Sequence, residues 1–274
     1  MRTVACATAR RLAAAGLLIL QMPVFGNIVG YWRFEEGTGT VSSDQTSFFD
    51  GQLVNFEDTI YEGWSSDVFA SLIPQTGQAN TGSILMQGGS EFIDLSNGQA
   101  MNLGTSFTVE FFMKPDQPVV GSTVFSLTPL SGLGLSLTES LGTLYWNMGF
   151  NAEAPYTQAS GVEVGVWQHV ALVKEPGQYS LYINGLLIAV GPVGVGGDGP
   201  YSFPGTDITG DRTIGGENGT WRGYLDEFRI SDSALTPDQF LIVPEPGTMG
   251  LVGLGGLALL AMRRGRGIRK SSQS

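Results

Sequence analysis

The chain has 274 residues, 40 of them glycine, and only 14% are charged, a composition more typical of a turn-rich β protein than of a helical one. All 25 acidic residues lie between Glu35 and Glu245, and the segment 27–245 contains six basic residues, which leaves that segment a net charge of −19. Such a field repels nucleic acid and anionic lipid, and no basic patch offsets it, which excludes a nucleic-acid-binding protein. The single cysteine, Cys6, excludes an intramolecular disulfide.

The first 26 residues have the parts of a secretory signal peptide. Three arginines precede or directly abut the short apolar run 12–20, LAAAGLLIL. Val24 and Gly26 are small enough for the −3 and −1 positions of a cleavage site. The sequence therefore predicts a signal peptide at 1–26, removed by a cut after Gly26.

Short apolar segments separated by turn residues fill the region 27–242, and no long helical period appears. In 106–114, SFTVEFFMK, apolar residues alternate with a period of two, which predicts a strand. Asn184-Gly185 stands between two apolar runs in 178–190 and predicts a hairpin, because both residues tolerate positive φ. Further strands are predicted at 122–127, 132–138, 142–148, 166–174 and 223–230, followed by a helical turn within 231–240. This series favours one all-β domain at 27–242, an antiparallel two-sheet sandwich or jelly roll.

Several blocks of this region follow one another in an order that resembles laminin-G-like, concanavalin-A-like domains. They are GYWRFEEGTGT (30–40), FTVEFFMKP (107–115), WQHVALV (167–173), YSLYING (179–185) and the closing block at 213–240. The closing block is the most specific, because a strand with an Asp-Glu pair runs into Ala-Leu and a short terminal turn. The resemblance implies a jelly roll of two antiparallel sheets, and it implies little about chemistry, because function lives in individual sites on this fold.

Residues suited to catalysis are few. The one histidine, His169, lies in a predicted strand, and we interpret it as structural rather than as a general base. Glycoside hydrolysis needs two carboxylates about 5–10 Å apart. The nearest pairs, Glu91 with Asp94 and Asp226 with Glu227, are spaced so that strand alternation should send their side chains to opposite faces. We therefore predict a non-catalytic protein, with a glycan-active enzyme of the concanavalin-A-like class as the alternative.

Calcium is the cofactor that the resemblance implies, because many laminin-G-like domains hold a calcium ion on loop oxygens. Asp44 matches the position of an aspartate that the family often has shortly after the opening Gly-Thr-Gly, and Asp226 is the second candidate ligand. The alternative for both is a carboxylate that caps turn amides or pairs with an arginine such as Arg229.

A carbohydrate ligand would contact exposed aromatic rings. Trp64, in the apparent loop YEGWSSD, is the candidate for such stacking, whereas Trp146 and Trp167 lie in predicted strands and are assigned to the core. The charge of −19 argues against a strongly anionic glycan.

The segment 243–274 is predicted to be a sorting signal. Val243-Pro244-Glu245-Pro246 precedes the uncharged run 247–262, and a basic tail at 263–274 begins with Arg263-Arg264. As a helix the run would be ~24 Å long, short for a bilayer core of about 30 Å, and the basic tail marks its cytoplasmic side. This order resembles a PEP-CTERM signal, which implies an exosortase, a membrane protease-transpeptidase of Gram-negative bacteria that make exopolysaccharide.

Together these features predict an exported protein. It would pass through the inner membrane, attached for a time by the predicted span, to the cell surface or extracellular matrix of a Gram-negative bacterium. There it would serve as a non-catalytic binding or adhesion module for a polysaccharide or a surface protein. A purely structural matrix component is the further alternative.

Overall fold

The computed structural model describes residues 26–56, 63–96, 101–118, 121–128, 134–149, 157–192, 201–203, 211–216 and 221–242. Within these ranges the chain forms antiparallel strands and one single-turn 3-10 helix at Pro237–Gln239, which confirms the all-β fold class. No helix in these ranges is long and apolar enough to span a membrane. The predicted signal peptide and C-terminal span lie outside the described residues.

Two eight-stranded sheets make up the sandwich. The first, called sheet 1, has the spatial order β15 (Leu186–Pro192), β14 (Gln178–Ile183), β13 (Gln168–Glu175), β8 (Phe107–Pro115), β18 (Arg222–Ser231), β5 (Ser83–Gln87) and β4 (Trp64–Ser65), with β1 (Ile28–Trp32) also paired to β18. The second, sheet 2, has the order β12 (Thr157–Ser160), β11 (Thr143–Gly149), β10 (Gly134–Ser140), β9 (Ser122–Thr128), β17 (Asp211–Ile214), β6 (Phe92–Asp94), β3 (Gly51–Val54) and β2 (Val41–Ser42). A separate pair joins β7 (Met101–Gly104) to β16 (Tyr201–Phe203).

The hairpin predicted at Asn184-Gly185 is present between β14 and β15. Ile183 pairs with Leu186 across a two-residue loop, and both loop residues have positive φ, 52° and 76°. Positive φ at both positions is what a type I′ turn requires, and this turn matches the twist of the strands it joins.

The main core lies between the inner faces of the two sheets. The ring of Phe111 in β8 stacks on that of Phe228 in β18 with centroids 5.3 Å apart, and Phe125 in β9 meets both rings edge-on. The alternation read in 106–114 is therefore correct for the inner face, where Phe107, Val109 and Phe111 are buried.

Sheet 1 is covered on its outer face as well. Residues 66–81 and the C-terminal stretch 232–242 pack over it and form two further apolar clusters. Strands β8 and β13 are consequently buried on both faces along most of their length. Polar residues on that outer face, Glu110 among them, are thus enclosed, and they need partners inside the protein.

Candidate functional site

Glu110 is the centre of a buried ionic cluster under the C-terminal stretch. Its carboxylate accepts hydrogen bonds from Arg229 Nε at 2.9 Å and from the Leu241 N–H at 2.9 Å, and His169 Nε2 lies 2.9 Å from it. Burial alone would raise the pKa of Glu110, but the Arg229 charge and the His169 contact outweigh it and lower the pKa to about 2. His169 is fully buried in this cluster, so its ring does not reach a ligand in solvent.

Asp226 and Glu227 share the outer face of sheet 1, so the expectation that they diverge is wrong. Asp226 pairs with Phe112 and Arg229 pairs with Glu110, which leaves two residues of β18 opposite the single Phe111. Glu227 has φ 52°, and the resulting β-bulge turns its side chain to the same face as Asp226. No glycine marks the bulge, so the sequence carries no signal for it.

Both carboxylates of the bulge are fully buried and hydrogen-bonded to side chains of other segments. Asn80 Nδ2 donates to Asp226 at 2.8 Å, while Arg33 and the Tyr31 hydroxyl donate to Glu227. Burial raises the pKa of Asp226 to about 8; the Asn80 hydrogen bond offsets part of this, and the neighbouring Glu227 charge adds to it. The pKa of Glu227 is also raised by burial, against the opposing effect of Arg33. Neither side chain faces solvent, where a glycan would bind.

Asp44, the first candidate calcium ligand, caps a loop. It is 3% exposed, and its two oxygens accept hydrogen bonds from the backbone N–H groups of Tyr31, Thr46, Phe48 and Phe49 and from the Thr46 hydroxyl. N–H donors aimed at both oxygens occupy the lone pairs that calcium would need, so this arrangement does not fit the ion. In the described ranges, no group of three or more His, Cys, Asp or Glu side chains could hold a metal. Calcium binding at Asp44 or Asp226 stays a prediction.

Trp64, the candidate for sugar stacking, is not in an exposed loop, and this expectation is wrong. Gly63, with φ 84°, turns the chain into β4, where Trp64 pairs with Ile84. The indole is 5% exposed, and its Nε1–H donates to the Gly39 carbonyl at 2.8 Å. A ring buried in this way has no free face for a sugar.

A different set of residues forms a surface site, here called the aromatic patch: Asp67, Lys114, Trp167 and Tyr224. Lys114 on β8 pairs with Tyr224 on β18, and Trp167 directly precedes β13, so the patch crosses three neighbouring strands at one end of the outer face. Both aromatic rings are partly exposed, with centroids 6.1 Å apart and planes inclined at 53°.

Polar contacts fix the geometry of the aromatic patch. Lys114 Nζ lies 4.6 Å from the Tyr224 ring centroid and 5.7 Å from that of Trp167, within the range of a cation–π interaction. Asp67 accepts a hydrogen bond from Trp167 Nε1 at 2.9 Å and forms an ion pair with Lys114. Partial burial would raise the pKa of Asp67, but these two contacts lower it overall. The rings are therefore held in place before any ligand arrives.

A second ion pair flanks the patch. Arg222, two residues before Tyr224, pairs with Asp116 at 3.1 Å, and both side chains are well exposed. Each cation around the rings is thus matched by a carboxylate, and the surface offers hydrogen-bonding groups without a net positive charge.

Sequence reasoning missed this patch because Trp167 was assigned to the core. Its place at the surface depends on where β13, β8 and β18 lie relative to one another, and the cross-strand register of distant segments cannot be read from the chain. The one local signal was Lys114, a charged residue at the end of the apolar strand 106–114.

Two family models match the chain. The one described as "Concanavalin A-like lectin/glucanases superfamily" matches residues 87–240, and the "PEP-CTERM protein-sorting motif" matches residues 243–266. These matches confirm both resemblances read from the sequence. Among curated proteins no relative matches the chain.

Solved structures share the fold at low sequence identity. Domain 4 of AbnA, an extracellular GH43 arabinanase from Geobacillus stearothermophilus in complex with arabinotriose, is 20% identical with a TM-score of 0.51, and the match covers 80% of this chain and 98% of that one. A mutant Trypanosoma rangeli sialidase displaying trans-sialidase activity is 17% identical with a TM-score of 0.52, covering 79% of this chain and 32% of that one. The binding domain of botulinum neurotoxin serotype D is 14% identical with a TM-score of 0.50, covering 79% and 51%. At these identities the likeness concerns the fold alone.

Proposed function

We propose that this chain, which belongs to the concanavalin A-like lectin/glucanases superfamily and carries a PEP-CTERM protein-sorting motif, is an exported protein that binds a neutral glycan without cleaving it. The sorting motif supports export and surface sorting in a Gram-negative bacterium, with processing by an exosortase-type system. The glycan would be met at the cell surface or in the extracellular matrix.

The aromatic patch is the observation that carries this proposal. Trp167 and Tyr224 present partly exposed rings beside one carboxylate and one ammonium group. Amphipathic rings with polar groups at their edges suit a sugar, which has apolar C–H faces and hydroxyls around its rim. Because Asp67 and Lys114 already hold the rings, binding would cost little ordering of side chains.

Charge favours an uncharged glycan. The segment 27–245 carries a net charge of −19, and both cations near the rings are paired with carboxylates. A polyanion would meet a repulsive field and would have to compete with Asp67 and Asp116 for those cations. Among structures that share this fold, domain 4 of AbnA holds arabinotriose, an uncharged sugar.

Burial of the three carboxylates on the outer face of sheet 1 favours binding over catalysis. Glu110, Asp226 and Glu227 are each fully buried. Leu241 and Asn80 of the covering segments donate to Glu110 and Asp226, and Arg33 donates to Glu227. A general acid or nucleophile must reach the glycosidic bond, and none of these three side chains reaches solvent.

A glycan-active enzyme is the second candidate, and one observation favours it. The bulge at Glu227 places two carboxylates side by side on one face, and burial raises the pKa of Asp226 to about 8, as a general acid requires. A movement of the covering residues around Asn80 would be needed to expose the pair.

Binding and cleavage assays on a panel of polysaccharides distinguish these functions. The exported protein is incubated with neutral glycans, arabinan first, and with anionic glycans such as alginate, and both bound protein and newly formed reducing ends are measured. Binding to a neutral glycan with no reducing ends is the expected result. Reducing ends would establish the enzyme instead, and no binding to any glycan would favour a structural role or a protein ligand.

A further inference from the structure

Leu241 and Ile242, the last residues that the structure describes, pack on the outer face of sheet 1. Leu241 is fully buried, its N–H donates to Glu110, and its carbonyl accepts a hydrogen bond from the Gln75 N–H at 3.2 Å. Ile242 packs against both apolar clusters on this face. The sorting motif therefore begins directly at the folded surface, with no spacer between Ile242 and Val243.

The aromatic patch lies next to this exit point. Trp167 and Ile242 pack on the same small cluster, formed by Tyr31, Ile73, Phe112 and Leu241. The Trp167 indole, which is proposed to bind the glycan, and Ile242, after which the C-terminal segment begins, thus lie on the same face of the domain.

The connection to the predicted membrane span is short. Five residue steps separate Ile242 from Gly247, where the predicted span 247–262 begins, and even a fully extended chain of that length covers at most about 18 Å. A domain covering residues 27–242 has a radius of gyration of about 17 Å and so a diameter well above the length of this connection. While the span is in the bilayer, the domain cannot point this face directly away from the membrane, because that orientation would need a connection as long as the domain diameter.

We infer that in the precursor the face carrying the aromatic patch is turned toward the periplasmic surface of the inner membrane, and that it opens to a polymer only after the chain is cut at Pro244–Pro246. This inference rests on the proposed function and on the predicted span. Attraction to lipid is not the cause, since the net charge of −19 repels anionic headgroups; the short connection alone imposes the arrangement. Processing by the exosortase would then both sort the protein and uncover its binding site.

Cysteine labelling tests this arrangement without any glycan. Val166, next to Trp167, and Val41, on β2 of sheet 2 across the core, are 45% and 43% exposed, so Val166→Cys and Val41→Cys are matched probes. Each is made in full-length protein carrying Cys6→Ser, inserted in the membrane of a host without an exosortase. Labelling rates are measured with a small maleimide and with a maleimide on a polyethylene glycol chain.

The polymer reagent should label Val166→Cys several-fold more slowly than Val41→Cys, while the small reagent labels both alike. Inserting about 30 Gly/Ser residues between Ile242 and Val243, which span roughly 30 Å on average, should restore polymer labelling of Val166→Cys. Equal polymer labelling of both probes without the insert would overturn the inference. Because no glycan is used, a failure of the proposed function would show only in the polysaccharide panel.

Discussion

At the residue scale, the buried carboxylates of sheet 1 are stabilised in two opposite ways. Burial opposes the ionisation of Glu110, but Arg229 and His169 contact this carboxylate and its pKa falls to about 2. Asp226 is buried with the Asn80 side chain and a backbone N–H as its partners among the described residues, and its pKa rises to about 8, so it holds its proton at neutral pH. One face of one sheet therefore contains a charged carboxylate and a neutral one, and each makes the stability of the domain depend on pH.

Protonation of Asp226 makes the free energy of unfolding decrease as the pH rises. Between about pH 4 and about pH 8 the folded state keeps this proton and the unfolded chain loses it, so the contribution of Asp226 to the free energy of unfolding falls as the pH rises through that window. An asparagine side chain at this position has no proton to lose. Asp226→Asn should therefore be more stable than the wild type near pH 8 and should flatten the pH dependence, measured by urea denaturation across the window.

Asp238→Asn is the control for this prediction, since it removes the same charge at an exposed position. It should follow the wild-type curve. An Asp226→Asn curve that also follows the wild type would show that Asp226 is ionised in the folded protein.

At the element scale, local pattern and backbone irregularity differ in what a sequence reveals. The strand predicted at 223–230 is present as β18, and the Asn184-Gly185 hairpin has the predicted turn. The bulge inside β18 was missed because positive φ at Glu227 is imposed by its neighbours, not by its own residue type. Trp64 was misplaced for a similar reason: β4 is a two-residue strand that exists only through its pairing with β5.

The loop after β2 gives a prediction at this scale. Asp44 accepts four backbone N–H bonds, and truncating it leaves the buried Tyr31 and Phe49 N–H groups without that acceptor. Asp44→Ala should lower the free energy of unfolding by on the order of 3 kcal/mol. Asp50→Ala, which removes an exposed carboxylate and a single backbone hydrogen bond in the same loop, should cost much less.

Stability measurements with and without calcium distinguish a capping role of Asp44 from a metal-binding role. If the carboxylate only caps the loop, the loss in Asp44→Ala is the same with and without about 1 mM calcium. A wild-type melting temperature that rises with calcium, together with an Asp44→Ala melting temperature that does not, would assign the ion to this loop.

At the scale of the whole molecule, the two-sheet architecture could be predicted and the site could not. Regular strand spacing and the family-like sequence blocks are local features of the sequence, so the two-sheet architecture can be predicted from them. The aromatic patch joins Asp67, Lys114, Trp167 and Tyr224, which are brought together by strand register and by the segment that covers sheet 1. Such long-range relations leave no periodic signal along the chain.

Processing gives a prediction for the complete chain. The intact mass of the mature protein from its host should correspond to a chain that starts at Asn27 and ends near Pro246, without the basic tail. Replacing Pro244, Glu245 and Pro246 by alanine should leave the C-terminal residues attached and should not change the N-terminal cut. A mature wild-type mass that includes Arg263 and Arg264 would contradict the sorting role of the motif.

The affinity of Trp167→Ala for a neutral glycan tests the central claim most directly. Titration calorimetry with arabinan, or with whichever neutral glycan of the panel binds best, compares the wild type, Trp167→Ala and Phe48→Ala, a control that removes a 61% exposed aromatic ring outside the patch. We predict that Trp167→Ala weakens binding by roughly tenfold or more, since an aromatic anchor of an interface contributes about 2 kcal/mol, and that Phe48→Ala binds like the wild type. Wild-type affinity in a folded Trp167→Ala protein would contradict the assignment of the aromatic patch as the glycan-binding site.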